Sequence, residues 1–145
     1  MGVGFCLATE AGSHHLSLSG QRQPFGEERM QDPNCLFCKI VNGEIPSNKV
    51  FEDNHLYAFH DINPAAPVHI LIIPKDHIPD NNELTSEHQM IAGRLLTSVP
   101  EIASKLGIAH DGYRLIMNTG PHGHQEVKHL HLHLIGGAPM KNPMG

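Results

Sequence analysis

The chain has 145 residues, 10 of them Lys or Arg and 15 Asp or Glu, for a net charge of −5 with His neutral. That length fits one domain whose core folds without disulfides. No apolar run approaches the ~20 residues that span a bilayer, and the acidic balance argues against a general binder of nucleic acid or anionic membranes, whose footprint is basic. Two counts stand out: 13 His, set against no Trp and only 2 Tyr, and 3 Cys. Histidine ligates metals and moves protons near neutrality. A small, odd number of cysteines suits a reducing compartment, hence a cytoplasmic location.

Residues 12–29 are rich in Ser, Gly, His, Gln and charge without any sustained period. Residues 1–31 are therefore expected to form a poorly ordered extension, with Met30 a candidate start, and the domain to run over 32–145. Asp32 or Asn34 can cap a short helix over 35–41, ended by Asn42-Gly43. Residues 49–52 and 56–60 read as strands around an Asp53-Asn54 turn. Residues 61–67 hold two prolines and form a loop, and 69–73 make a buried strand stopped by Pro74. After a loop at Asn81-Asn82, Ser86 and Gln89 pair as a capping box at the head of a long helix. Its apolar stripe is Ile91, Leu95, Val99, Ile102 and Leu106, Gly107 is its stop, and Pro100 is expected to kink or split it. Strands over 113–118 and 129–135 complete the chain. The order gives an α+β fold with a mainly antiparallel sheet.

The last strand carries the chemistry. In His129-Leu130-His131-Leu132-His133-Leu134-Ile135, alternation puts three imidazoles on one face, about 6.7 Å apart, and three leucines on the other. Three ligands so spread along one strand do not share one ion unaided, since Zn–N bonds are ~2.0–2.1 Å. A nucleophilic role uses the spacing better. A neutral central imidazole attacks an electrophile, its neighbours flank the reacting atom, and a partner on its other nitrogen fixes the tautomer. A backbone carbonyl or His69, on the neighbouring strand, can be that partner. The preceding segment, Asn118 to Glu126, is polar and carries Gly120 and Gly123, whose turns present N–H groups to an anion. Asn118 and Gln125 can each bond a phosphate oxygen. Separately, Cys35-x-x-Cys38 opens the domain. That pair is either half of a metal site lacking two ligands or two partly buried thiols.

The triad stretch resembles the histidine triad (HIT) motif. The segments Phe59 to His69, Asp111 to Asn118 and His129 to Gly137 resemble the HINT branch of that family, its bacterial members above all, over about residues 35–140. The resemblance implies a five-stranded, mainly antiparallel HIT fold with one short and one long helix, and a homodimer joined through the long helix and a sheet edge. It also implies a purine nucleotide ligand such as AMP, ADP or GMP, and hydrolysis of AMP-linked P–N bonds or aminoacyl-adenylates through a covalent nucleotidyl-histidine. By the same likeness His131 is the nucleophile, His133 contacts the phosphate and assists the leaving group, His129 supports the rings, and His69 stands near the site. Asn118, Gln125 and Glu126 match phosphate-loop positions. Asp61, with His60 nearby, matches the ribose site. Leu36, Phe37, Ile40, Phe59, Ile62 and Leu71 match the apolar purine slot, although these are also expected core positions. No cofactor is implied for catalysis. In relatives with the cysteine pair, a structural zinc is implied on Cys35, Cys38, His69 and His129, while HINT members without the pair fold metal-free.

Three positions depart from the pattern: Lys128 where Tyr is frequent, His124 where Gly is usual, and Glu126 where some members have Ser. Other readings stay open. They are a diadenosine polyphosphate hydrolase of the Fhit type, a nucleotide-binding adaptor with incidental hydrolysis, and a histidine-rich metal-binding module.

Overall fold

The computed structural model describes residues 29–145. The expectation of a poorly ordered extension lies, for residues 1–28, outside the described residues. Residues 29–31 are tied to the domain. The Arg29 guanidinium donates to Asn54 O at 3.0 Å, Met30 O accepts from His77 N at 2.6 Å, and the side-chain amides of Gln31 and Asn42 exchange two hydrogen bonds.

Five strands form one antiparallel sheet: β1 (Lys49–Glu52), β2 (Leu56–His60), β3 (Val68–Pro74), β4 (Tyr113–Ile116) and β5 (Leu132–Gly136), in the order β1-β2-β3-β5-β4. The helices are α1 (Leu36–Val41) and α2 (Gln89–Lys105). They lie on opposite faces. Ala58, Ile70, Ile72, Leu132 and Leu134 pack with Ile91, Leu95, Val99 and Ile102 of α2 into the larger core. Tyr57, Phe59, Leu71 and Ile73 pack with Phe37, Cys38 and Ile40 of α1 into the smaller one. Strand alternation divides the residues: partners such as Phe59↔Leu71 and Leu71↔His133 share the α1 face, while Ile70↔Leu134 share the α2 face.

Several local expectations shift. Cys35, not Asp32 or Asn34, is the N-cap of α1, its Sγ accepting from Cys38 N at 3.4 Å. Asp32 instead closes the turn before it, Oδ1 accepting from Asn34 N at 2.8 Å. Asn81–Glu83 is a single 3₁₀ turn capped by Asp80. The capping box belongs to Thr85 and His88 at the head of a second such turn, Ser86–His88, and α2 follows directly. Pro100 does not divide α2. Pro100 and Leu96, four residues earlier, both lie on the solvent side, where water can satisfy the carbonyl that the missing N–H leaves free. Strand β5 begins at Leu132 rather than at His129, because Leu130 N bonds Ile78 O at 2.6 Å instead of joining β3. Leu130 still packs with Leu132 and Leu134 on the α2 side, so the facing of the stretch survives the shorter strand.

Candidate active site

The site lies on the α1 face, where the triad stretch runs beside β3. His131 is buried, with Phe37 of α1 against it edge-on at 5.2 Å and the His133 ring at 4.9 Å. Its Nδ1 donates to His129 O at 2.6 Å. That bond takes the Nδ1 proton and leaves the lone pair of the neutral ring on Nε2, the nitrogen free to attack. The tautomer partner is thus a backbone carbonyl, one of the two candidates raised by the sequence.

His69 serves His133 instead. His69 Nε2 lies 2.9 Å from His133 Nδ1 and 3.3 Å from Asp61 Oδ2, and its Nδ1 accepts from Ala65 N at 2.9 Å. The remaining nitrogen of His133, Nε2, is sealed from solvent and has no hydrogen-bond partner among the described residues. Burial and the neighbouring histidine charges push His133 down to about 4, and burial lowers His69 against the opposing pull of Asp61. Both rings are therefore neutral at pH 7. Asp61 also closes its own turn, Oδ1 accepting from Asn63 N at 2.8 Å.

His129 faces elsewhere. Its Nε2 donates to Pro74 O at 2.9 Å, and its Nδ1 lies 3.3 Å from Cys35 Sγ, 3.6 Å from Cys38 Sγ and 3.2 Å from His77 Nδ1. Cys38 Sγ is 3.5 Å from His77 Nδ1. Burial pushes the Cys38 thiol up to about 11 and pulls His129 down to about 4. Four soft donor atoms therefore converge on one point. A tetrahedral zinc with Zn–S of ~2.3 Å and Zn–N of ~2.0–2.1 Å requires S···N edges of about 3.6 Å and an N···N edge of about 3.3 Å. The observed spacings match, so the donor set fits zinc.

This corrects the ligand set expected from the sequence: His77 takes the fourth position, not His69. His69 and Pro74 sit at opposite ends of β3, five residues or about 17 Å apart. His69 cannot reach a cluster anchored on Pro74 O. His77 was missed because only the turn after β3, held by Met30 O, brings it under α1.

Other expected residues divide. Phe37, Ile40, Phe59 and Leu71 are buried in the smaller core beneath the triad, so they form the floor of the site rather than an open slot. Ile62 is 89% exposed. His60 pairs with Ile70, whose side chain faces α2, so the strand turns His60 away from the triad and corrects its placement beside the ribose position. Asn118 is half-buried just past β4 and Glu126 is exposed. Gln125 is a further correction. Its Oε1 accepts from Gly120 N at 3.1 Å, and its Nε2 donates to Pro79 O and Val127 O at 2.8 and 2.9 Å. The amide is occupied in holding the loop, not free for phosphate. In the same loop His124 has φ +59°, the left-handed region that accounts for Gly being usual there.

Known proteins resemble this chain in sequence and in fold. The family model for the HIT domain matches residues 42–140. The purine nucleoside phosphoramidase of Escherichia coli is 53% identical over 105 residues, 72% of this chain and 88% of that protein. Among solved structures, a histidine triad protein from Clostridium difficile superposes with TM-score 0.76 at 43% identity, covering 78% of this chain and 98% of that one. A HIT family hydrolase from Legionella pneumophila does so with TM-score 0.75 at 47% identity, covering 77% and 100%. A triad whose central ring keeps its lone pair on the open nitrogen, on a fold shared at this level of identity, leaves one assignment: the chain belongs to the HIT domain family.

Proposed function

We propose that this protein is a nucleotidyl hydrolase that binds a purine nucleoside monophosphate group such as AMP and cleaves P–N bonds to it. The observation that carries the reading is the His131 Nδ1 bond to His129 O, which leaves Nε2 as the nucleophile. In the first step the Nε2 lone pair forms a bond to the α-phosphorus. The P–N bond of the substrate breaks, and its electron pair departs on the amine nitrogen, which takes a proton from solvent water. In the second step water attacks the same phosphorus and the P–Nε2 bond breaks. The pair returns to His131, and the water proton goes to solvent as AMP leaves. His133 Nε2–H, which has no hydrogen-bond partner among the described residues, donates to a phosphoryl oxygen and stabilises the charge that develops there. Asp61 has acceptor oxygens for the ribose hydroxyls, and the turn at Gly123 offers a backbone N–H to the phosphate, whereas Gly120 N–H is already taken by Gln125 Oε1.

No cofactor enters these steps. Zinc, held by Cys35, Cys38, His77 and His129, would supply structural rigidity under α1 and would fix the His129 carbonyl that orients His131. In this reading the chain forms a homodimer joined through α2 and an edge of the sheet. No helix among the described residues is long and apolar enough to cross a membrane, and the reduced thiols at 35 and 38 suit a cytoplasmic location.

The test is a side-by-side assay of an adenosine phosphoramidate and a diadenosine polyphosphate with wild type and His131→Ala. Turnover of the phosphoramidate that vanishes in the variant, with AMP binding retained, supports the reading. Preferred cleavage of the dinucleotide, or turnover that survives in the variant, overturns it.

A further inference from the structure

The 61–67 loop reaches the reacting groups through its backbone. Asp61 N donates to His69 O at 2.9 Å, and the Asp61 side chain closes a turn on Asn63, so the loop returns over His69 and aims Ala65 N–H at His69 Nδ1. Pro67 seats against Gly137, where an added Cβ would come within 3.0 Å of the proline ring, which fixes the far end of the loop. A ring nitrogen that accepts an N–H carries the lone pair, so the single proton of neutral His69 is on Nε2. That proton points at His133 Nδ1, 2.9 Å away. Two N–H groups cannot face each other at this distance, so His133 Nδ1 is also a lone pair and the proton of His133 is on Nε2. Nε2 lies across the ring from His69 and is the buried atom without a partner among the described residues. An unmade hydrogen bond of this kind costs about 1–3 kcal/mol, a cost recovered when an acceptor enters.

We propose that the backbone N–H of Ala65 sets the tautomers of His69 and His133 in series, holding His133 as a permanent Nε2–H donor toward the phosphoryl oxygen. Ala65 is a positioning residue acting through His69, and His133 is a neutral donor rather than a proton-transferring acid. Nucleoside recognition and charge stabilisation are thereby built into one loop: Asp61 offers the ribose acceptor, and four residues later the main chain orients the donor. The identity of the acceptor rests on the function proposed above, whereas the tautomer order does not.

The test is long-range ¹H–¹⁵N correlation of the histidine rings in the ligand-free, ¹⁵N-histidine-labelled protein. Wild type is expected to show His133 with Nε2 protonated and Nδ1 bearing the lone pair, and His69 in the same form. Ala65→Pro, which deletes the N–H, is expected to turn both into tautomer mixtures. His69→Phe, which keeps the ring and removes its nitrogens, is expected to release His133 alone, and it serves as the reading if the proline variant does not fold. With adenosine phosphoramidate, kcat falls by the fraction of molecules left in the wrong tautomer while KM holds. A wild-type His133 protonated on Nδ1, or variants in which His133 stays a pure Nε2–H form, overturns the proposal. Those spectra are read without substrate, so a protein that fails to turn over phosphoramidates refutes the functional reading and not the tautomer order.

Discussion

Replacing Gln125 with Leu separates a loop clamp from a phosphate ligand. The side chain makes three hydrogen bonds, to Gly120 N, Pro79 O and Val127 O. Val127 O keeps a second donor, His129 N at 2.9 Å, so Leu leaves two groups, Gly120 N–H and Pro79 O, without their partner. At about 1–1.5 kcal/mol for each bond, the loss is roughly 2–3 kcal/mol, or a drop in Tm of about 5–15 °C for a domain of this size. The Gly120–Gln125 pairing also ties the two ends of the loop beside the triad, and ångström-scale misplacement there costs up to about a hundredfold in rate. Thermal melts, limited proteolysis across 118–126 and kcat/KM for an adenosine phosphoramidate should therefore fall together. Gln125→Glu keeps the acceptor for Gly120 but sets a carboxylate against two carbonyls, so it should lose stability as well. A Leu variant with the wild-type Tm and protease resistance but weakened AMP binding would refute the clamp and return Gln125 to the phosphate.

Three further outcomes follow from the same geometry. Gly123→Ala would place a Cβ 2.7 Å from Thr119 O and 2.9 Å from Thr119 N, both backbone atoms; the loop must open, and phosphoramidase activity should fall at least tenfold, whereas unchanged kinetics would show that the loop does not form the site. Zinc should bind at one equivalent per chain; His77→Ala should abolish it and His69→Ala leave it intact by elemental analysis, the reverse pattern contradicting the cluster. In the metal-free protein His129 and His133 titrate at about 4, against 6.5 as the ordinary value. Between these values the unfolded chain binds protons that the folded chain does not, so stability falls as pH drops from about 6.5 toward 4, by up to roughly 1.4 kcal/mol per pH unit for the deeply buried His129 and by less for the half-buried His133. Urea midpoints that stay level between pH 7 and 5 would contradict it.

Period and punctuation made much of the fold legible. The leucines of 130–134 announced a buried face opposite the histidines, and the stripe from Ile91 to Ile102 announced α2. What a linear pattern does not carry is where a side chain goes once another element claims it. His129 alternates like its strand-mates, yet its ring is drawn to two thiols, one on the N-cap of α1 and one in its first turn, and its residue falls outside β5. His77 follows a proline in an unpatterned turn, and only the fold of that turn makes it a ligand. Gln125 looks like an anion ligand because amides bind phosphate, but its three partners come from 46, 5 and 2 residues away in sequence, and their competition is invisible until the loop closes. The backbone donor at Ala65 leaves no trace in side-chain identity at all.

The most direct measurement is intact mass spectrometry of the protein quenched during turnover of an adenosine phosphoramidate, followed by peptide mapping under conditions that preserve phosphorus–nitrogen bonds. An added adenylyl group on His131, absent in His131→Ala, is the predicted result. Turnover without any adduct on that residue, or an adduct on His133 or His129 instead, would contradict the account.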